Sequence, residues 1–79
     1  MAYEYEKQAT VALLSEDGSG NRKELCIVAW NGNPPKYDVR IWVNGGEKPG
    51  RGVTLTDSEA ALLRGALNGL ELDVPGGAG

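Results

Sequence analysis

The stretch "RKELCIVAWNGNPPKYDVRIWV", residues 22–43, decides the fold, because it reads as two strands joined by a turn. Residues 22–30 and 36–43 each alternate between two sets of side chains, which is typical of β-strands. Between them, Asn-Gly tolerates positive φ angles, and two prolines cannot join a central ladder. We therefore predict a β-hairpin from these two segments, and residues 36–43 are the clearest strand of the chain.

The two faces of this hairpin differ in chemistry. With an even register sum, the even-numbered residues of both strands share one face. The odd-numbered face is apolar and is the expected core; it holds Leu25, Ile27, Ala29, Tyr37, Val39, Ile41 and Val43. The even-numbered face is expected to meet solvent or ligand; it holds Arg22, Glu24, Cys26, Val28, Trp30, Lys36, Asp38, Arg40 and Trp42. Two Trp rings and three cations would then face outward together.

The flanking segments complete a β-β-β-β-α order. Residues 7–15 are β-branched and apolar enough for a first strand, and residues 51–55 form a short fourth strand. Thr56 followed by Glu59 is a capping box, which marks the start of a helix. We expect an α+β fold: a four-stranded antiparallel sheet followed by a C-terminal helix.

The helix carries an apolar stripe that is wider than one small sheet requires, since Leu62 extends it. A domain of this size buries only about 60% of its unfolded surface, so a partner would help its stability. We therefore predict a homodimer, with an interface at the residues that recur at helical spacing: Leu63, Ala66, Leu67 and Leu70.

The length of 79 residues corresponds to one domain, which we place at residues 1–72. The terminal "PGGAG" has little to bury, so residues 73–79 are predicted to be a disordered tail. The longest apolar runs are far shorter than the roughly 20 residues of a membrane span, and the N-terminus does not resemble a secretion signal. We expect a soluble, cytoplasmic protein that has no membrane partner and could associate with the nucleoid.

The composition argues against catalysis and metal binding. The chain has one Cys and no His, so it lacks an internal disulfide, the commonest metal ligand and the commonest general base. The Gly-rich segment 45–52 is not followed by the Gly-Lys-Ser/Thr of a phosphate-binding loop. The carboxylates have no evident acid-base partner. We therefore expect the protein not to be an enzyme and to bind neither a metal nor a cofactor.

The charge is unevenly distributed along the chain. Residues 22–51 hold six Lys and Arg against three Asp and Glu, a net +3, whereas the rest holds two against eight, a net −6. A basic segment within an acidic whole can still form a binding patch for a polyanion. Aromatic rings stack on unpaired bases and cations neutralise phosphates, so a nucleic acid single strand would use both.

Simpler interpretations exist for each of these residues. Trp42 could lie over the helix or the dimer seam, and Trp30 could cover the prolines of the turn. Lys36 and Arg40 alone would be an ordinary solvated face. Cys26 is best explained as a small packing residue.

The Asp-x-Arg-x-Trp sequence at residues 38–42, followed by Pro-Gly-Arg-Gly-Val-x-Leu at residues 49–55, resembles the transcriptional coactivator p15 family (positive cofactor 4), and most closely its small bacterial branch. The resemblance extends from about Arg22 to Leu67. It implies a homodimer of β-β-β-β-α protomers, joined largely through their helices. It also implies curved sheets that hold single-stranded DNA against aromatic and basic side chains.

Site residues follow from the same resemblance. Trp42 and Arg40 match the family's stacking Trp and nearby Arg, Trp30 its second aromatic, and Arg51 the basic residue of its Pro-Gly loop. Three further candidates for nucleic-acid binding fall near basic positions of the family: Lys23, Lys36 and Lys48. Arg22 is a candidate as a cation of the even-numbered face. The chain is less basic than the eukaryotic member and lacks its Ser-rich, Lys-rich extension, so coactivator activity does not follow.

The expected function is thus non-enzymatic binding of single-stranded DNA with little sequence preference. Stacking by Trp42 predicts that Trp42→Ala weakens binding to every sequence. Two alternatives stay open: RNA as the ligand, which only a 2′-OH contact would distinguish, and a protein-docking face that uses the same Trp and Arg residues. The process served, whether transcription, recombination or repair, does not follow from the residues.

Overall fold

A computed structural model describes residues 4–70 of the chain. It contains four strands and one helix: β1 (Tyr5–Glu16), β2 (Arg22–Trp30), β3 (Lys36–Val43), β4 (Lys48–Leu55) and α1 (Asp57–Asn68). The strands form one antiparallel sheet in the order β1-β2-β3-β4. The predicted fold class is confirmed. The predicted tail, residues 73–79, lies outside the described residues.

The bounds of β2 and β3 agree with the prediction, whereas both outer strands are longer. β4 begins three residues before the predicted start at Arg51 and includes Pro49. As the last strand of the sheet, β4 has a neighbour on one side only. Proline, which has no backbone N–H, is tolerated in such an edge strand because one side of it needs no ladder hydrogen bonds.

The β2–β3 hairpin has the predicted register. Arg22 lies opposite Trp42 and Val28 opposite Lys36, so even-numbered residues of the two strands share a face. Asn31 and Gly32 make the turn with φ angles of 52° and 77°. Their positive φ explains why Asn-Gly occurs there, since these residues tolerate the left-handed region.

Irregular pairing bends the sheet. The β1–β2 register shifts three times, leaving Gln8, Val11 and Leu14 as extra residues on β1. Each bulge increases strand twist and bends the strand. Curvature brings β1 toward the far side of the sheet, where the Tyr5 hydroxyl donates a hydrogen bond to the Glu47 carbonyl at 3.2 Å. Because Glu47 follows β3, two strands away from β1, the sheet is concave on the face that carries Tyr5.

The core lies on this concave face, and the prediction that the even-numbered face is outward is wrong. The described residues with buried side chains are all even-numbered: Glu24, Cys26, Val28, Asp38 and Trp42. The odd-numbered side chains of the hairpin, which were predicted to form the core, are only partly buried. Curvature encloses the even-numbered face, and its charged residues can be buried because they pair with one another.

Helix α1 covers the convex, odd-numbered side of the sheet incompletely. Its predicted capping box is present: Thr56 Oγ1 accepts a hydrogen bond from the Glu59 N–H, and the Glu59 carboxylate accepts one from the Thr56 N–H. None of the helix residues is buried. Between α1 and the sheet lies an apolar groove of about 460 Å³; its lining includes Leu25, Tyr37, Leu55, Ala60, Leu63 and Leu67. Within residues 4–70, no helix has the length and apolar character needed to cross a membrane.

Candidate nucleic-acid interface

Trp42 is a core residue, and the prediction that its ring faces outward is wrong. Its side chain has no exposed surface. The Tyr5 ring lies 5.7 Å from it between centroids, and Lys7 Nζ lies 4.3 Å from its ring centroid. Trp42 Nε1 is buried and has no hydrogen-bond partner among the described residues. Trp42 therefore supports the concave face from beneath, while Tyr5 and Lys7 of β1 cover it.

Trp30 is half-buried at the rim of the same face. Its Nε1 donates a hydrogen bond to Asp38 Oδ2 at 3.1 Å. The Arg40 guanidinium carbon lies 4.8 Å from its ring centroid, within the range of a cation–π contact. The Tyr5 ring is 5.4 Å away between centroids, tilted by 41°. These contacts fix the orientation of Trp30 and place its ring beside a cation.

Asp38 is the buried anchor of the Arg40 side chain. Its Oδ1 accepts from Arg40 Nε at 2.7 Å, and its Oδ2 accepts from Arg40 Nη2 and Thr54 Oγ1, both at 2.9 Å. Arg40 Nη1 donates to the Gly50 carbonyl at 2.9 Å. This two-point pairing holds the planar guanidinium rigidly. Of its five N–H groups, three donate to these partners, and the other two have no partner within residues 4–70 and remain for a ligand.

Glu24 is the second buried carboxylate of the concave face. Its oxygens accept from Lys7 Nζ at 2.6 Å and from Arg22 Nε at 2.8 Å. Burial opposes ionisation of Glu24, but hydrogen bonds from Arg22, Lys7 and Cys26 outweigh it and hold its pKa at about 2. Lys7 and Arg22 therefore carry charges that a neighbouring carboxylate already compensates, and Arg22 also pairs with Glu16 at 3.4 Å.

Cys26 lies in the core, as its predicted packing role requires. Its thiol donates to Glu24 Oε1 at 3.3 Å. Burial, followed by the contact with Glu24, raises the pKa of the thiol. Both effects keep Cys26 in its unreactive protonated form.

Four of the predicted basic residues are exposed and form no ion pair with any residue in the range 4–70: Lys23, Lys36, Lys48 and Arg51. They do not all share a face. Lys36 lies opposite Val28 on the even-numbered side, whereas Lys23 and Lys48 lie opposite Ile41 and Val43 on the odd-numbered side. Arg51 lies at the register shift between β3 and β4.

A small cleft brings two of the predicted site residues together. It has a volume of about 280 Å³ and is lined by Trp30, Asn31, Arg40, Pro49, Gly50 and Thr54. Its lining is the kind that binds one flat, polar group: an aromatic ring, a guanidinium with free N–H groups and a hydroxyl. Asn31 and Thr54 were not predicted to belong to the site, since a turn residue and a short-strand residue carry no signal of their own.

Sequence reasoning also missed Tyr5 and Lys7. Tyr5 precedes the predicted first strand at residues 7–15, and the face that a β1 side chain occupies depends on bulges that alternation cannot reveal. No group of three or more His, Cys, Asp or Glu able to hold a metal ion occurs within the described part of the chain.

Comparisons with known proteins identify the family to which the chain belongs. The chain is 44% identical over 71 residues to an uncharacterized protein of Treponema pallidum (strain Nichols), covering 90% of this chain and 84% of that protein. The profile of the family Transcriptional Coactivator p15 (PC4) matches residues 18–66, more than half of the chain. That match spans β2, β3, β4 and most of α1. The chain therefore belongs to the transcriptional coactivator p15 (PC4) family, whose domain binds single-stranded DNA.

Proposed function

We propose that this chain is a non-enzymatic, homodimeric protein that binds single-stranded DNA with little sequence specificity. The observation that carries the proposal is the rim of the concave face, where Trp30 and the anchored Arg40 line one cleft. An aromatic ring stacks on the face of any base, and guanidinium N–H groups donate hydrogen bonds to any phosphate, so neither group reads sequence. A duplex would hide the base faces that this rim requires.

The exposed cations next to the cleft hold the phosphates. Lys36 and Arg51 are exposed, and neither pairs with a carboxylate elsewhere in residues 4–70. Arg40 contributes through its two remaining N–H groups, because Asp38 already neutralises its charge. Lys48 is also exposed, but it lies opposite Val43 on the odd-numbered side, away from the cleft. The acidic net charge of −3 is not an obstacle, since contacts to phosphate depend on local charge.

The dimer proposal rests on the apolar surface that one protomer leaves uncovered. Leu62, Leu63 and Leu67 of α1, and Leu70 just after its end, are 43–75% exposed. The groove between α1 and the sheet is also apolar and open. Exposed apolar surface of this kind marks an interaction site. A second copy of the chain would bury the exposed leucines and the groove. It would also stabilise a domain that is too small to form a large core alone.

A titration of labelled oligo-dT of about 20 nucleotides by fluorescence anisotropy tests the function, with the matched duplex as the comparison. We expect binding of the single strand that weakens with salt, and much weaker binding of the duplex. Titration with a matched RNA oligonucleotide shows whether DNA or RNA is preferred, because only a contact to the 2′-OH distinguishes RNA from DNA. Lack of binding to any oligonucleotide at low salt would reject the proposal and favour a protein-docking role for this face.

A further inference from the structure

Tyr5 is the outermost ring of the aromatic cluster formed by Tyr5, Trp30 and Trp42. It lies within 5.7 Å of both Trp rings, measured between centroids. Tyr5 is 37% exposed, whereas Trp42 has no exposed surface and Trp30 is half-buried. Of the three residues, Tyr5 therefore has the largest exposed fraction.

The position of Tyr5 is fixed from two directions. Its hydroxyl donates to the Glu47 carbonyl at 3.2 Å. Its backbone pairs with Trp30 in the β1–β2 ladder. Just before it, the Glu4 carbonyl accepts from the Asn31 N–H at 2.6 Å, and Asn31 Oδ1 accepts from the Glu4 N–H at 3.3 Å. A ring held at both ends loses little freedom when a base stacks on it, which favours binding.

The same bonds argue against a movable cover over Trp42. To expose the Trp42 ring, Tyr5 would have to leave Glu47 and both Trp rings. Lys7, which also lies over Trp42, would have to leave Glu24, with which it forms a 2.6 Å ion pair. Each of these contacts opposes opening. Tyr5 and Lys7 thus form the surface of the concave face, and Trp42 is the layer beneath it.

We propose that Tyr5 is a base-stacking residue of the single-strand site and performs at the surface the role that the sequence suggested for Trp42. This inference rests on the proposed function. A base is a better ligand for Tyr5 than a phosphate, because the neighbouring Glu4 and Glu6 are exposed acidic residues. The bound strand then has one base over Tyr5, and its phosphates lie toward Lys36 and Arg51.

The test compares three proteins in the oligo-dT titration: wild type, Tyr5→Leu and Tyr5→Phe. Leucine keeps apolar bulk over Trp42 but has no aromatic face, whereas phenylalanine keeps the ring and loses only the hydroxyl. We expect Tyr5→Leu to weaken binding by about 5- to 150-fold, the value of one base–aromatic stack. Tyr5→Phe should bind within about threefold of wild type. The salt slope should be the same in all three, since no charge changes.

Far-UV circular dichroism and thermal melting establish that each variant is folded before binding is compared. If wild type binds and a folded Tyr5→Leu binds equally well, Tyr5 is not a stacking residue and the inference is wrong, although the proposed function survives. Tighter binding by Tyr5→Leu also overturns it, because Tyr5 would then be an obstruction above Trp42. Absence of binding by wild type rejects the proposed function itself.

Discussion

At the scale of single residues, the buried carboxylates explain how a charged face can form the core. Asp38 and Glu24 together accept hydrogen bonds from Arg40, Lys7 and Arg22. A buried charge is costly unless it is paired and hydrogen-bonded. Here each carboxylate has several donors, so the face closes over them. Removing one partner of a buried carboxylate should therefore destabilise the fold far more than removing an exposed charge does.

Glu24→Gln should alter the pH dependence of stability. The pKa of Glu24 is about 2 in the folded protein, below its ordinary value of 4.5. Ionised Glu24 therefore stabilises the fold above pH 4.5, and this contribution, at most about 3 kcal/mol, is lost as the pH falls toward 2. Urea unfolding at pH 7, 4 and 3 measures it. The variant should be less stable at pH 7 and lose less on acidification; an unchanged pH profile would contradict the role of Glu24.

Trp42→Ala should lower the free energy of unfolding of the protein. Replacing a fully buried Trp leaves a large cavity and costs about 3–5 kcal/mol, a large share of the stability of a small domain. Chemical unfolding measures this directly. Trp42→Phe, which keeps a ring beneath Tyr5, is the matched variant and should cost less and bind oligo-dT nearly as wild type does. Normal stability of Trp42→Ala would show that the ring is not part of the core.

At the scale of secondary-structure elements, the sheet depends on close approach between β3 and β4. Gly52 lies opposite Arg40. A Cβ on Gly52 would lie 2.5 Å from the Val39 carbonyl oxygen and 2.6 Å from Arg40 Cα. Both are backbone atoms of the neighbouring strand, so they cannot move aside cheaply. The pairing of these two strands therefore requires glycine.

Gly52→Ala should consequently destabilise the protein by about 1–3 kcal/mol or more through overpacking. Gly18→Ala in the β1–β2 loop is the control, since nothing lies within 4 Å of a Cβ there and its φ is not positive. Thermal melting of both variants makes the comparison. Equal melting temperatures would mean that β3 and β4 are not packed this closely.

The same elements show what local patterns can predict. The bounds of β2 and β3, the hairpin register and the capping box at Thr56 are as predicted, because each depends on residues close in the chain. The early start of β4 was missed, since Pro49 and its neighbouring glycines normally indicate a loop. Pairing with β3 makes Lys48 and Pro49 part of the strand, and local sequence does not reveal that pairing. The length of β1 was underestimated because the prediction followed the β-branched and apolar residues 7–15, and Tyr5, Glu6 and Glu16 lie outside that run.

At the scale of the whole molecule, assembly and ligand binding are expected to use opposite sides of the sheet. Ala66→Glu tests assembly: Ala66 is exposed and does not line the groove, and Glu is a good helix former, so α1 should persist. Analytical ultracentrifugation should show a monomer. Ser19→Glu, which adds the same charge in an exposed loop, should remain a dimer. A dimeric Ala66→Glu would place the interface elsewhere.

The salt dependence of DNA binding should reveal which face of the sheet the DNA single strand follows. For single strands, each phosphate contact contributes about 0.7 to the slope of log K against log salt. Lys36→Ala should lower the slope by about 0.7. Lys23→Ala removes an equal charge from the odd-numbered side and should leave the slope unchanged. The reverse result would place the strand on the convex side.

The sequence by itself determined the strands of the hairpin, their register, the helix start and the family. These depend on neighbours along the chain or on short motifs. Only the tertiary structure decided which face is the core and which aromatic ring is accessible. Bulges curve the sheet, and contacts between residues 16 or 17 positions apart complete the pairing of the buried carboxylates: Thr54 donates a hydrogen bond to Asp38, and Lys7 forms an ion pair with Glu24. Polar residues in a strand indicate an exposed face only where they lack such partners. Here the partners are present, so the polar face is buried with Trp42 in it, and Tyr5 of β1 lies at the surface.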